Sequence, residues 1–383
     1  MRPPRPVLPA LGTTSAVGVA ALGLHVRRNM GARLAVLRRL AQRSPHAHYG
    51  AFANREPGLP RPDLTARQIA TMILRRRRVG LPPRPIPLVT TPPGADRSRL
   101  ALTWFGHTSV LLEVDGRRVL VDPVWSTRTS PVPGFGPRRL HAPPVPVAAV
   151  GEVDVVLISH DHYDHLDRPT VVGLARCTVA TFVVPLGVGA HLRSWGVAAD
   201  RVVERDWDEA AAVAGLTFTC LEARHFSGRG LRRNTTQWAA WKVAGPEHSV
   251  YVAGDTGASA VHARTGEQHG PFDLTLMPVG AYAELWPDIH TTPEEAVAAH
   301  TALRGAVMLP VHWATFALGF HPWAEPAERT LRAAEDRRVR LALPRLGRRL
   351  DLSVPDDRPG SPWWREVAPA PVRPDPGGVA ASD

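Results

Sequence analysis

The sequence predicts an α/β fold, and three patterns predict it. Short apolar runs of strand length recur from Leu100 onward, among them LALTWF, SVLLEV, RRVLVD, VDVVLISH, CTVATFVVP, LTFTCLEA, WAAWKV, SVYVAGD, LTLMPVG and AVMLPVH. Helix-like stretches fall between some of these runs, at Arg168 to Ala175, Gly187 to Trp195 and Pro293 to Leu303. Several strands end directly in histidine or aspartate, where a rigid sheet can hold polar side chains open to a ligand.

In chain order, the first feature is Val7 to Val26, which lacks Asp, Glu, Lys and Arg and is flanked by Arg2 and Arg5 before it and by Arg27 and Arg28 after it. A signal sequence or membrane anchor is one reading. The stretch is rich in Gly, Ala, Ser and Thr and basic on both flanks, so no orientation follows, and an extension ahead of a start at Met30 is the other reading. From Met30 to Arg43, apolar positions alternate with arginines, as in a basic amphipathic helix on a membrane surface or a solvated helix face. Leu81 to Gly94 carries six prolines and reads as a linker. Asp115-Gly116 sits between two strand-like runs and predicts a hairpin. Thr292, Pro293 and two glutamates mark the entry to the helix at 293–303. The tail from Asp356 is rich in Pro, Gly and Asp and reads as loose, with Trp363 and Trp364 able to dock on the body. The expected organisation is a basic extension and linker over 1–95, open to membrane association, a catalytic domain over 96–352, and a tail over 353–383.

Composition narrows the function classes. With 383 residues, 44% of them hydrophobic, the chain can bury a large core. A formal charge of +11 would suggest nucleic acid or an anionic membrane, yet Lys242 is the only lysine among 46 basic residues. That arginine bias, beside abundant Ala, Pro and Gly, reads as genome composition, and nucleic acid is disfavoured as a partner. Cys177 and Cys220 stand far apart, so neither a disulfide framework nor a cysteine zinc site is indicated.

The densest signal is Ser159 to Asp167, SHDHYDHLD, directly after the uncharged run Val155 to Ile158. His160, His162, Asp164 and His165 offer imidazoles two apart and a carboxylate beside a third. Imidazole and carboxylate without thiolate suit zinc, manganese or ferrous iron at an open, catalytic site, because structural zinc sites usually close with cysteine. One segment cannot complete two coordination shells. Further donors stand at later strand ends: His225 after TFTCLEAR, Asp255 after VYVAG and His312 after VMLPV.

Those motifs resemble the metallo-β-lactamase superfamily. Further likeness lies in Trp104 to Val110 (WFGHTSV), Leu120 to Pro123 (LVDP), Gly254 to Gly257 (GDTG), Met277 to Tyr282 (MPVGAY), Pro293 to Ala296 (PEEA) and His312 to Phe316 (HWATF). Together they resemble the N-acylphosphatidylethanolamine-hydrolysing phospholipase D branch, over about Leu100 to Pro326 and more weakly near Gly50 to Asn54. The resemblance implies an αββα four-layer sandwich with two Zn2+ ions, or Mn2+ or Fe2+, at one edge. It implies His160, His162 and His225 on one metal, Asp164, His165 and His312 on the other, and Asp255 bridging both. A hydroxide between cations roughly 3.5–4 Å apart would then attack phosphorus. His290 matches a histidine near the substrate phosphate, although the segment from Tyr282 to His290 is about two residues shorter than the family's.

Other residues carry weaker expectations. Asp122 would orient a ligand imidazole. His107 reads as a buried hydrogen-bonding residue, His300 as structural, and His321 has no evident partner. Arg138 and Arg139 could meet a phosphate, or form a solvated pair. Trp125, Phe135, Tyr282, Trp286, Phe316 and Leu318 could line an acyl-chain groove. Three functions fit: a phospholipase D-type phosphodiesterase acting on a phospholipid, a lactonase or other hydrolase, and a non-catalytic metal-bound regulatory or membrane-associated protein. The location fits the cytoplasm or the membrane periphery, with an N-terminal anchor or signal as the variant. Oligomeric state is not legible.

Overall fold

The computed structural model describes residues 11–60, 79–354 and 360–367, with positions 65, 67, 68, 71, 72 and 74 between them. Part of the Val7 to Val26 stretch and the tail from 368 onward lie outside the described residues. The chain opens with helices α1 (Leu11–Met30) and α2 (Leu34–Ala41) and a small ribbon of β1 (Ala47–His48) and β2 (Ala51–Phe52). The amphipathic pattern expected over Met30 to Arg43 resolves into a break at Gly31, whose φ is 84°, followed by α2. Helix α2 buries Leu37 and Ala41, so its apolar side is spent on the protein body. Among the described residues no helix is long and apolar enough to cross a membrane.

The first sheet contains β3 (Leu100–Gly106), β4 (Ser109–Val114), β5 (Arg117–Val121), β6 (Val155–Leu157), β7 (Thr181–Pro185) and β8 (Val202–Arg205). The second contains β9 (Ala210–Val213), β10 (Leu216–Leu221), β11 (Ala240–Ala244), β12 (Ser249–Val252), β13 (Phe272–Pro278), β14 (Gly305–Val311) and β15 (Arg340–Leu341). The last strand, β16 (Arg349–Asp351), returns to the first sheet beside β3, giving two seven-stranded sheets. Each sheet begins antiparallel and turns parallel at β5–β6 or at β12–β13. The Asp115-Gly116 hairpin forms as expected, with Val114 opposite Arg117.

Strand periodicity builds the layers. Leu102, Trp104, Leu112, Val119, Val155 and Val183 point into the core that also takes Phe218, Trp241 and Leu274 of the second sheet. Their alternates Phe105, Leu111, Leu120, Val156 and Phe182 face α3 (Arg168–Cys177) and α4 (Val188–Ser194) through Val171, Leu174 and Leu192. Strands buried on both faces read as unbroken apolar runs, which is why VVLI lacks alternation. Helices α5 (Val261–His269), α6 (Pro293–Ala302) and α7 (Glu325–Arg337) complete the outer layer on the second sheet, giving the αββα sandwich. Thr292 caps α6 through the predicted device: it accepts from the Glu295 amide while Glu295 accepts from the Thr292 amide. Ala41, Phe52 and Ile86 join the central core, and Trp363, next to α8 (Trp364–Val367), stacks on Trp313 with ring centroids 5.4 Å apart.

Candidate metal centre

Polar side chains gather at the strand ends where each sheet turns parallel. Asp122 follows β5, His160 to His165 follow β6, His225 follows β10, Asp255 follows β12 and His312 follows β14. The backbone bends sharply to aim them: Asp122 and His312 both have positive φ, 38° and 66°. Gly254 has φ 61°, and a Cβ there would lie 2.7 Å from the Ser159 Cβ and 2.9 Å from the Ala239 carbonyl oxygen. Only glycine lets the two sheets close behind Asp255.

Asp255 is the hub. Its Oδ2 lies 3.2 Å from Nε2 of both His165 and His312, 3.7 Å from His225 Nε2, 3.9 Å from His160 Nε2 and 3.9 Å from His290 Nδ1. His160, His162, His225 and Asp255 present one donor atom each within 4.8 Å of one another. A second group of the same compactness contains His107, Asp164, His165 and His312, and a third joins Asp255, His290 and His312. The structure therefore brings together every residue expected at the metals, and places His290 with them despite the shorter loop before it.

The supports behind these donors are specific. The Asp122 carboxylate lies 2.8 Å from His165 Nδ1 and accepts from the Ser159 amide and hydroxyl at 2.7 and 2.6 Å. That fixes the His165 ring and leaves its Nε2 facing Asp255. Ser159 Oγ also meets His160 Nδ1 at 2.9 Å. His107 Nε2 lies 2.9 Å from Asp164 Oδ2, while its amide donates to Thr315 Oγ1 and its carbonyl accepts from the Trp104 indole and the His312 amide. The expected hydrogen-bonding role of His107 is thus joined to a place beside the second donor group. His225 Nδ1 meets the Ile289 carbonyl at 3.1 Å.

The electrostatics suit cations. Burial, reinforced by neighbouring imidazoles, holds His160 and His225 well below the ordinary histidine range, so they keep a free lone pair. Burial opposes ionisation of Asp255, but His165, His312 and His290 outweigh it and hold the carboxylate well below its usual value. His312 is depressed by burial yet pushed up to about 9 by Asp255 and Asp164. Buried His165 Nε2, His312 Nε2, Asp255 Oδ1 and His290 Nδ1 have no hydrogen-bond partner. His160 Nε2 and His162 Nδ1 face each other at 2.8 Å. The free lone pairs of His160 and His225, an ionised Asp255 and the orphaned buried polar atoms around it fit a divalent cation.

Some expected residues stand elsewhere. Arg139 is buried, donates to the carbonyls of Val124 and Phe105, and lies over the Phe316 ring, so it braces the fold and meets no phosphate. Arg138 is exposed. The aromatic groove is not assembled: Trp125 packs on Phe105 at the outer face of the first sheet, and Phe135 is 74% exposed. Phe316 sets its ring edge-on to His107. Tyr282 belongs to a different wall, where it lines a cavity of about 570 Å³ with His290, Phe320 and Arg329, and Trp286 packs on Phe320 with its indole donating to the Ala281 carbonyl. His300 is structural, bonded to Thr275 Oγ1, and His321 finds its partner in the Ala281 amide.

Two residues the sequence left unread support the site from a distance. Asn54 clasps the His225 backbone, donating to its carbonyl at 2.9 Å and accepting from its amide at 3.1 Å. Arg229 donates to the carbonyls of Asp161 and Leu166 and so ties both ends of the His160 to His165 loop. The weak likeness near Gly50 to Asn54 was the one signal for the first; nothing local marks the second among so many arginines.

The chain is similar to several known proteins. The family model described as a beta-lactamase superfamily domain matches residues 117–313. An uncharacterized protein of Mycobacterium tuberculosis is 52% identical over 346 residues, 88% of this chain and 91% of its own. The N-acyl-phosphatidylethanolamine-hydrolyzing phospholipase D 1 of Caenorhabditis elegans is 36% identical over 247 residues, 61% of this chain and 69% of its own. Among solved structures, Igni18, a metallo hydrolase from the archaeon Ignicoccus hospitalis, has a TM-score of 0.52 and 24% identity, covering 66% of this chain and 97% of its own. That last likeness speaks to the fold alone.

Proposed function

Because the chain belongs to the metallo-β-lactamase superfamily and is a metal-dependent hydrolase of that fold, we propose that it cleaves the head-group phosphodiester of N-acylphosphatidylethanolamine-like lipids. The products are an N-acylethanolamine and phosphatidic acid. The observation that carries the reading is the Asp255 carboxylate, one oxygen of which stands within 3.9 Å of four imidazoles drawn from both donor groups and of His290 beside them. Similarity to a lipid-cleaving phospholipase D supports the choice of substrate.

His160, His162 and His225 would hold one cation, and Asp164, His165 and His312 the other, with Asp255 shared. Two such ions, as Zn2+, Mn2+ or Fe2+, would supply a water acidified toward neutral pH and would neutralise phosphoryl charge. The chain's own residues do the rest. Asp122 and His107 keep His165 and Asp164 from turning away. His290, whose buried Nδ1 has no hydrogen-bond partner and lies 3.9 Å from Asp255 Oδ2, is placed beside the donors to meet a phosphoryl or leaving oxygen. In the balanced reaction the water oxygen bonds to phosphorus, the bond from phosphorus to the ethanolamine oxygen breaks, and the departing alkoxide takes a proton.

The test is mass-spectrometric product analysis after incubating metal-loaded protein with N-acylphosphatidylethanolamine in mixed micelles, with Asp255→Asn as the blank. Both products should appear together with wild type and neither with the variant. Their absence from a preparation shown to hold metal would overturn the phosphodiesterase reading in favour of a lactonase or another hydrolase.

A further inference from the structure

Among the described residues nothing covers the middle of helix α1. Val19, Leu22 and Leu24 are 71%, 46% and 50% exposed, and every residue from Gly18 to His25 is open to solvent. Two more apolar side chains stand out from the body nearby, Phe135 at 74% and Leu231 at 105%. The three segments meet. Asn29 donates to the Pro131 carbonyl, and a cavity of about 300 Å³ lies between His25, Asn29, Pro133 and Gly134. On the other flank, Met30 and Arg27 share a cavity of about 370 Å³ with Leu231 and Arg232.

The charge of this face has one sign. No Asp or Glu occurs from Leu11 to Arg55, from Pro123 to Gly151 or from Ala223 to Pro246. Arg27, Arg28, Arg33, Arg232 and Arg233 are exposed there. The acids that come close from neighbouring elements are buried and committed: Asp161 accepts from the Gly228 amide and faces His191, and Asp167 accepts from the Ser126 amide and hydroxyl.

We propose that α1, the loop around Phe135 and the segment around Leu231 form a docking surface for an anionic lipid bilayer, set directly beside the metal loop. Arginines meet the head groups while the protruding Leu, Val and Phe enter the acyl boundary, a combination nucleic acid would not reward. The surface is wired to the site. Arg229 donates to the Asn29 carbonyl at the end of α1 and, with the same guanidinium, to the carbonyls of Asp161 and Leu166 on the metal loop. Tyr163, between His162 and Asp164, donates to the Arg229 carbonyl and floors the cavity under α1. A bilayer holding α1 therefore holds the loop that carries four of the metal donors. The inference deepens the proposed function and rests on that reading only for what is cleaved.

The experiment is co-sedimentation of the full chain with phosphatidylcholine vesicles, with and without phosphatidylglycerol, at low and high salt. Binding should be roughly ten-fold or more tighter to the anionic vesicles and should weaken with salt. Leu22→Asp/Leu24→Asp and, separately, Arg232→Glu/Arg233→Glu should each lose binding while circular dichroism melting stays unchanged. Equal binding to neutral vesicles, no binding at all, or retention of binding by both variants overturns the proposal. So does light scattering that shows a dimer dissolved by the leucine variant, which would make a second copy the occupant. Vesicle binding is read without turnover, so lipid docking with no lipid cleavage would sink the proposed substrate and leave this surface standing.

Discussion

On one side of Asp255, His160, His162 and His225 converge; on the other stand Asp164, His165 and His312. The two sides offer similar donors but are braced by different chemistry. His225 leans on a backbone carbonyl and an asparagine clasp, and His160 on a serine hydroxyl. His165 leans on the fully buried carboxylate of Asp122, and Asp164 on the imidazole of His107. A neutral brace orients a ring, whereas a carboxylate also raises its basicity and fixes which nitrogen carries the proton. The second side is therefore the one where a single brace carries both geometry and charge.

That contrast can be broken experimentally. Asp122→Asn should have the largest effect, lowering metal affinity about 10–100-fold on the second side and less on the first, which Asp122 reaches only through the Ser159 hydroxyl beside His160. Metal titration that found both sites weakened alike would erase the contrast. Asn54→Ala should do less and act on the first side, because two hydrogen bonds to the His225 backbone are lost at about 1–3 kcal/mol. Thermal melting and metal content of that variant check it, and an unchanged protein would show that the clasp is dispensable. Arg138→Ala marks the floor of the scale: replacing an exposed arginine should change stability by less than about 0.5 kcal/mol and leave turnover alone. A clear loss of turnover would return Arg138 to the phosphate.

The donors were legible because all of them follow strand ends, four after β6 and one each after β10, β12 and β14, where local pattern and chemistry coincide. What binds them in place was less so. Asn54 lies 171 positions from His225, and Arg229 lies 200 from Asn29, separations over which no periodicity carries information. Asp122 was legible because LVDP ends a strand. The aromatic groove failed for a different reason: an aromatic residue announces burial, not which face it is buried on, and Trp125 packs on Phe105 while Phe316 packs on His107. Arg139 was misread because a sequence so rich in arginine gives no hint which one is internal. The layering of the sheets came from family resemblance, since alternation in strands buried on both faces is invisible.

Strand β16 has a consequence for how the chain is made. Its Arg349 pairs with Glu113, 236 positions earlier, and it covers the free edge of β3. Until those last residues leave the ribosome, β3 presents an apolar, unpaired border along which another nascent chain could add. Strand β16 is therefore a closing stitch, and the 236 positions that separate Arg349 from Glu113 must be synthesised before the first sheet can be sealed against aggregation.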